Sequence, residues 1–199
     1  MKKLLLCFLF SGCLLTAPEA ILRWHGMIIG NGGDFGSGTL LGDGYYITAQ
    51  HVVGDDPRIW VITNAKIDSN VTVVYKDEEI AILSTRFFLN TSKLSVAKDL
   101  TLGEELYWIQ QFPVTRDDSL AIHFYLMSGH VSRISGNQFF LDTPFYQGVS
   151  GAGIFNRRAE LVGVAQSYMF YSSPRQNAMY GVFSRIQLNN LNRNFFQEE

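Results

Sequence analysis

After about residue 20, short hydrophobic runs alternate with breaks that are rich in glycine, asparagine and aspartate. Tyrosine, phenylalanine, valine, isoleucine and threonine dominate the runs, as the half-buried surface of a β-strand favours. The runs that predict strands are 45–48, 59–63, 71–75, 80–83, 122–127, 139–141 and 161–165. Several short strands between regular turn signals predict an all-β sandwich or barrel.

The two ends of the chain have a different pattern. Lys2 and Lys3 precede an apolar run over residues 4–15, which is typical of a secretory signal and short for a membrane span. Residues 10–13 (Phe-Ser-Gly-Cys) resemble a bacterial lipoprotein processing site. We therefore expect residues 1–20 to direct export, either as a cleaved signal peptide or as a lipoprotein signal with its lipid on Cys13. Residues 21–199 would then be the mature domain, ending in a short helix over 184–197.

The amino-acid composition of the chain makes some classes of function less expected than others. The chain is 47% hydrophobic and 17% charged, with a net charge of -2, which is typical of a globular protein. The sequence contains no basic stripe, so a nucleic-acid partner is not expected. Both cysteines, Cys7 and Cys13, lie in the leader. The domain must therefore be stable without a disulfide. The histidines do not have metal-ligand spacing, so we expect no metal and no other cofactor.

Three segments combine residues with catalytic chemistry. A glycine-containing strand and turn at 36–44 lead into Tyr-Tyr-Ile-Thr-Ala-Gln, and His51 follows directly. Glu79 opens the apolar strand at 80–83, and Ser150 lies in the glycine-rich stretch 148–153. A serine nucleophile needs a base such as histidine, and a carboxylate can hold that histidine in one tautomer. Glycines around the serine allow backbone N–H groups to face a developing oxyanion.

These segments resemble a known family. Thr48-Ala49-Gln50-His51-Val52 is similar to the motif around the base of trypsin-like (chymotrypsin-fold) serine proteases, and Gly148-Val149-Ser150-Gly151 to their nucleophile loop. The stretches 36–38 and 160–164 look like the Deg-type and glutamyl branches, which also lack structural disulfides. The resemblance covers about residues 30–185 and implies two packed six-stranded antiparallel β-barrels. The barrels would span about 22–95 and about 104–184, with the active site between them.

The resemblance implies a role for each matching residue. His51 would be the base and Ser150 the nucleophile, while the N–H groups of Gly148 and Ser150 would form the oxyanion hole. Glu79 lies where the family usually has aspartate, so we predict it as the acid. Asp77, two positions earlier on the same strand face, is the alternative.

Two segments are expected to wall the substrate pocket. They contribute Phe145 and Tyr146 before the nucleophile, and Ala165, Gln166 and Ser167 after it. These residues carry no charge, so we expect a neutral primary side chain rather than lysine or arginine. Ala165 stands where glutamyl-specific relatives have histidine, so a preference for acidic residues is not expected. Ala152-Gly153 replaces the Gly-Pro that usually follows Ser-Gly in the family.

The sequence predicts a monomeric, exported serine endopeptidase with protein or peptide substrates. Two alternatives remain. One is an inactive pseudoprotease of the same fold that binds extended peptides, which the glutamate in the acid position and Gly153 favour. The other is an unrelated exported β-barrel binding module.

Overall fold

The structure is a computed structural model that describes residues 21–30, 35–55, 58–63, 67–86, 91–116, 119–173 and 176–185. The predicted leader and nearly all of the predicted C-terminal helix lie outside these residues. Within the described ranges, no helix is long and apolar enough to cross a membrane.

The first half of the chain forms one antiparallel sheet of seven strands, in the order β5-β4-β1-β2-β3-β7-β6. The strands are β1 (His25–Ile29), β2 (Phe35–Gly42), β3 (Tyr45–Ala49), β4 (Trp60–Ile62), β5 (Ile67–Asp68), β6 (Thr72–Lys76) and β7 (Ile80–Ser84). A 3₁₀ turn, Leu22–Trp24, precedes β1, and one helical turn, α1 (Gln50–Val53), follows β3.

The second half closes into a six-stranded barrel in the order β10-β13-β12-β11-β8-β9. Its strands are β8 (Glu105–Arg116), β9 (Ser119–Ser135), β10 (Gln138–Leu141), β11 (Gly153–Phe155), β12 (Leu161–Ser173) and β13 (Gln176–Arg185). Two long hairpins, β8–β9 and β12–β13, contribute most of the barrel's strand length.

A tight turn joins β2 to β3, and α1 follows directly after β3. Asp43 (φ 50) and Gly44 (φ 81) both adopt positive φ, which suits the right-handed twist of a hairpin. Strand β3 then pairs with β7, and Ala49 lies opposite Ile80. Helix α1 therefore begins beside the start of β7.

Three apolar clusters hold the fold together. One belongs to the first sheet and one, with the buried aromatic rings of Trp108, Phe139, Phe145 and Phe183, fills the second barrel. The third joins the two halves, because it combines Ile47 and Ile82 with Leu161 and Val164. Burying this much apolar surface is the main source of stability for a domain without disulfides.

The predicted fold class, an all-β protein with two packed antiparallel sheets of the trypsin-like kind, is confirmed. In detail, the first sheet has seven described strands where six were expected. Each of the seven predicted strand runs lies at least partly inside a strand. The sequence did not predict β1, β5, β8, β11 or β13, and it treated Gly36 and Gly38 partly as a break although both lie in β2.

Candidate functional site

Ser150 lies in a loop, residues 144–152, that connects β10 to β11; we call it the nucleophile loop. The first sheet holds this loop in place, since the Ser37 N–H donates to the Ser150 carbonyl at 2.7 Å and the Ser37 Oγ to the Gly148 carbonyl at 2.8 Å. From the second barrel, the Ala165 carbonyl accepts the Gly151 N–H at 2.7 Å. Both halves of the molecule therefore fix the backbone around Ser150.

Two glycines allow this conformation. Gly148 has φ +91, and a Cβ there would come within 2.8 Å of the Phe35 ring. Gly151 has φ +89, and a Cβ on it would overlap the Ser37 carbonyl and the Thr48 Oγ1. Both need a backbone region that other residues rarely adopt, and both leave no room for a side chain. The glycines of the Gly-x-Ser-Gly motif thus serve the close approach of the two halves.

The loop presents two unused N–H donors beside the nucleophile. Neither the Gly148 N–H nor the Ser150 N–H reaches an acceptor among the described residues. Most buried N–H groups in proteins are paired. A pair of free donors next to a serine hydroxyl can stabilise negative charge on a carbonyl oxygen that the serine attacks.

His51 is brought to the cleft by the pairing of β3 with β7. The Gln50 N–H donates to the Glu79 carbonyl at 2.9 Å, so α1 and the start of β7 are adjacent. We call residues 50–53 and 77–80 together the acid–base arm. Although His51 is an exposed residue, partial burial of its ring lowers its pKa below the ordinary value. A lower pKa favours the neutral imidazole, which is the form that can act as a base.

The Glu79 carboxylate is half-buried and already has a partner from the second barrel. Its Oε2 accepts a hydrogen bond from the Asn137 Nδ2 at 3.2 Å, across the cleft between the two halves. The Ser150 Oγ donates to the Gln166 carbonyl at 3.1 Å. Within the described part of the chain, His51 hydrogen bonds neither to Glu79 nor to Ser150.

Asp77 has a different environment. Its Oδ1 accepts the N–H groups of Glu79 and Ile80, both at 2.8 Å, and its Oδ2 accepts the Tyr75 hydroxyl at 2.9 Å. Both carboxylate oxygens therefore stabilise the turn that leads into β7. Asp77 is exposed and its hydrogen bonds stay within this turn, whereas Glu79 bonds to Asn137 on the second barrel.

The predicted pocket walls have unequal exposure. Phe145 is fully buried, stacks on Trp108 at 4.7 Å and belongs to the barrel core. Tyr146 is exposed and packs against Phe112. Ala165 is buried and Gln166 half-buried; the side chain of Ser167 lies outside the described residues. Of the predicted wall residues whose side chains the structure describes, Tyr146 and Gln166 are the ones with exposed surface.

Sequence reasoning missed the buried residues that hold the nucleophile loop. The Gln111 Nε2 donates to the Gly36 and Gly148 carbonyls at 2.7 and 3.3 Å, and its side chain also contacts the His25 ring at 3.3 Å. Burial lowers the pKa of His25 to about 4. The one available signal was the pair of adjacent glutamines, 110 and 111, inside an otherwise apolar and aromatic run.

No group of three or more histidine, cysteine or carboxylate side chains that could hold a metal ion occurs among the described residues.

Comparison with known proteins places this geometry in a family. Residues 36–164, more than half of the chain, match the model of the trypsin-like peptidase domain. No curated protein sequence matches the chain.

Solved structures of serine proteases share its fold. The Rv3671c protease from M. tuberculosis, in its active form, is 17% identical, with 84% of this chain and 78% of that chain covered and a TM-score of 0.65. The serine protease of human pathogenic astrovirus is 18% identical, with 86% and 94% covered and a TM-score of 0.62. The serine endoprotease from Yersinia pestis is 22% identical, with 85% and 59% covered and a TM-score of 0.63.

The matched segment contains both glycine-flanked Ser150 and the His51 that follows β3, and the fold of the two halves agrees with these structures. The chain belongs to the family of trypsin-like peptidase domains.

Proposed function

We propose that the protein is a serine endopeptidase that hydrolyses peptide bonds through an acyl-enzyme. Ser150 is the nucleophile, His51 the general base and Glu79 the acid that orients His51. The observation that carries the proposal is the pair of free N–H donors on Gly148 and Ser150, fixed beside the Ser150 hydroxyl. Preorganised donors of this kind are usually the largest single contribution to acyl-transfer catalysis.

In the proposed reaction, the Ser150 Oγ attacks the substrate carbonyl carbon while His51 takes the hydroxyl proton. The Gly148 and Ser150 N–H groups bind the resulting oxyanion. The C–N bond then breaks, and the departing amine takes the proton from His51. Water repeats the attack on the acyl-enzyme, again with His51 as base, and restores the Ser150 hydroxyl.

This reaction requires two hydrogen bonds to change. Ser150 must leave the Gln166 carbonyl for His51, and Glu79 must turn from Asn137 toward the His51 ring. Catalytic hydrogen bonds are often loose in the free enzyme and tighten when substrate binds. A substrate strand along Ser167 and Tyr168 has room to pair, because among the described residues these two pair only with β13. Such strand addition is a common mode of peptide recognition.

A second candidate is a pseudoprotease that binds extended peptides without cleaving them. The observation that favours it is that His51 lacks hydrogen bonds to Ser150 and Glu79 while both of these have other partners. Chemical reactivity of Ser150 separates the two candidates, because only an activated serine attacks an electrophilic phosphonate quickly.

The test is labelling of the purified protein with a fluorophosphonate, alongside Ser150→Ala, His51→Ala, Glu79→Gln and Asp77→Asn. The peptidase is expected to label, and the Ser150 and His51 variants are not. Glu79→Gln is expected to slow turnover by about 10⁴, as loss of the triad acid does in this chemistry. Asp77→Asn keeps a side-chain oxygen that can accept the N–H groups of Glu79 and Ile80, so its turnover should remain close to that of the wild type.

A folded wild type that does not label would reject the peptidase and favour the pseudoprotease. A large effect of Asp77→Asn with little effect of Glu79→Gln would instead reassign the acid.

The remaining proposals rest on the sequence. We propose export, with neutral residues preferred at the primary substrate position and with a monomer as the working form. Radiolabelled palmitate incorporation into the full chain, compared with Cys13→Ala, decides between a lipid anchor and a cleaved signal peptide.

A further inference from the structure

Two adjacent glutamines in β8, Gln110 and Gln111, are almost fully buried, with exposed fractions of 1% and 0%. Burying an amide side chain is unfavourable unless hydrogen bonds replace those lost to water. An apolar residue could fill either position at a lower free-energy cost of burial. Both amides donate from their nitrogen atoms to backbone carbonyls of the nucleophile loop. These hydrogen bonds indicate why amides occupy the two buried positions.

Gln111 holds the peptide group that follows Gly148. Its Nε2 donates to the Gly148 carbonyl at 3.3 Å and to the Gly36 carbonyl, on the first sheet, at 2.7 Å. The Ser37 Oγ is a second donor to the Gly148 carbonyl, at 2.8 Å. A flipped amide would place its oxygen against two carbonyl oxygens, so the donor assignment follows from the surroundings.

Gln110 holds the peptide group that precedes Gly148. Its Nε2 donates to the Gln147 carbonyl at 3.3 Å and to the Gln111 carbonyl at 3.1 Å. Its Oε1 is buried and has no partner among the described residues. The amide is therefore placed for its two donor bonds, and its acceptor atom is left unsatisfied.

Fixing these carbonyls fixes the Gly148 N–H. In a planar trans peptide the C=O and the N–H point in opposite directions. Because Gln110 holds the Gln147 carbonyl, the Gly148 N–H points away from Gln110 and finds no described acceptor. Gly148 (φ +91) can tolerate more than one peptide orientation, since glycine has few steric limits. Rotation of the 147–148 peptide by half a turn would replace the donor with a carbonyl oxygen.

We propose that Gln110 and Gln111 are positioning residues that hold the two peptide groups flanking Gly148 and thereby aim its N–H at the substrate oxyanion. The proposal rests on the function proposed above, since it assigns a preorganising role within that same site. Neither glutamine touches the substrate; each acts through the backbone of the nucleophile loop.

The experiment replaces Gln110 in two ways and measures both peptide orientation and catalysis. Gln110→Glu has nearly the same shape. Burial raises the pKa of a carboxyl group, so this variant is crystallised and assayed at alkaline pH, where the ionised carboxylate only accepts hydrogen bonds. It repels the Gln147 carbonyl and attracts a reversed Gly148 N–H. Gln110→Met keeps the length with neither donor nor acceptor, and it is the variant used if Gln110→Glu does not fold. Gln138→Glu, on an exposed position of β10, is the matched control for the added charge.

We expect the 147–148 peptide to reverse in the crystal structure of Gln110→Glu and to occupy both orientations in Gln110→Met. Loss of one oxyanion donor lowers kcat by about 10²–10³, so Gln110→Glu should approach a hundredfold decrease while KM changes little. The kcat of Gln110→Met should lie between that of Gln110→Glu and that of the wild type. A merely structural role would lower the melting temperature without this selective loss of kcat.

The two readouts separate the two proposals. An unchanged 147–148 peptide in both Gln110 variants overturns the positioning role, whatever their activity. A reversed peptide supports it, even in a protein whose wild type fails to label with the fluorophosphonate. That failure would reject the peptidase alone.

Discussion

The nucleophile loop and the acid–base arm are held very differently. Around Ser150, backbone and side-chain hydrogen bonds from both halves of the molecule fix the Gly148 and Ser150 carbonyls and the Gly151 N–H. In the arm, His51 is an exposed residue without a bond to either proposed partner, and Glu79 bonds to Asn137 instead. In the proposed reaction, the hydrogen bonds of the nucleophile loop can stay as they are, whereas those of the acid–base arm have to change before proton transfer.

The proposed reaction accounts for this difference. Donors that stabilise an oxyanion work best when they need no reorganisation during the reaction, which requires a fixed backbone. A base must move a proton between the nucleophile and the leaving group, and its hydrogen bonds form fully only with substrate present. A fixed loop and an adjustable arm can therefore coexist in one active site.

The largest effect should come from the residues that both sides must supply. Ser150→Ala and His51→Ala are each expected to lower kcat/KM by about 10⁴–10⁶, and the double variant should add little, because the two act as one unit. Turnover of an activated ester by the three variants measures this. If the two losses multiply instead, His51 and Ser150 act independently, and the proposed proton transfer between loop and arm is wrong.

The next largest loss of activity is expected from Gly148→Ala, which tests the rigidity of the nucleophile loop. Its Cβ would meet the Phe35 ring at 2.8 Å and force a residue with φ +91 into strain. We expect kcat to fall by about 10²–10³ with a smaller change in KM, as for the loss of one oxyanion donor.

Gly136→Ala is the matched control for Gly148→Ala. Gly136 also has positive φ, +59, but nothing lies within 4 Å of an added Cβ, and it sits in the β9–β10 turn. It carries the same kind of backbone strain without the collision. Equal kcat values for the two alanine variants would show that loop position at Gly148 is not critical.

A smaller effect is expected from Ser37→Ala, which removes one of the two side-chain donors to the Gly148 carbonyl. Because Gln111 remains, kcat should fall only about tenfold, the factor that corresponds to roughly one net hydrogen bond. Ser132→Ala is the control, since its hydroxyl also donates to a carbonyl, that of Phe140, on an exposed strand. Matching kcat values for Ser37→Ala and Ser132→Ala would contradict the special role of Ser37.

This contrast also marks what the sequence could predict. His51, Ser150 and the glycines near Ser150 could be proposed from the sequence because the chemistry in question needs those residue types in local motifs, and their roles stay a prediction. The seven predicted runs lie at least partly in strands because β-rich composition between turn residues is a local signal. Strand β8 was missed because the polar residues Gln110 and Gln111 interrupt it, and their hydrogen-bond partners lie more than thirty residues away. Asn137 opposite Glu79, 58 positions apart, is equally invisible to local pattern.

A pH profile sharpens the account of the arm. Partial burial lowers the pKa of His51, and only the neutral ring accepts the Ser150 proton. The activity kcat/KM should therefore rise with pH through a midpoint below the ordinary histidine value of about 6.5. If Glu79 keeps its hydrogen bond to Asn137 in the free enzyme, Glu79→Gln should leave the midpoint of the pH profile almost unchanged. The maximal kcat/KM, reached at high pH, should fall. A large downward shift of the midpoint would place the Glu79 carboxylate against His51 already in the free protein.

The smallest expected effect concerns His25, which lies behind the nucleophile loop against Gln111 and the edge of Phe124. Burial lowers its pKa to about 4, against about 6.5 in the unfolded chain. The unfolded state therefore binds more protons between these values, so His25 contributes stability that is complete above about pH 6.5 and lost as pH falls toward about 4. Urea midpoints of the wild type should drop over that window. His25→Gln, whose amide can still donate to Gln111, should show a shallower drop, because it has no proton to bind. An equal drop in both proteins would mean that other groups set the acid sensitivity and that the loop's support behind Gln111 does not depend on a neutral His25.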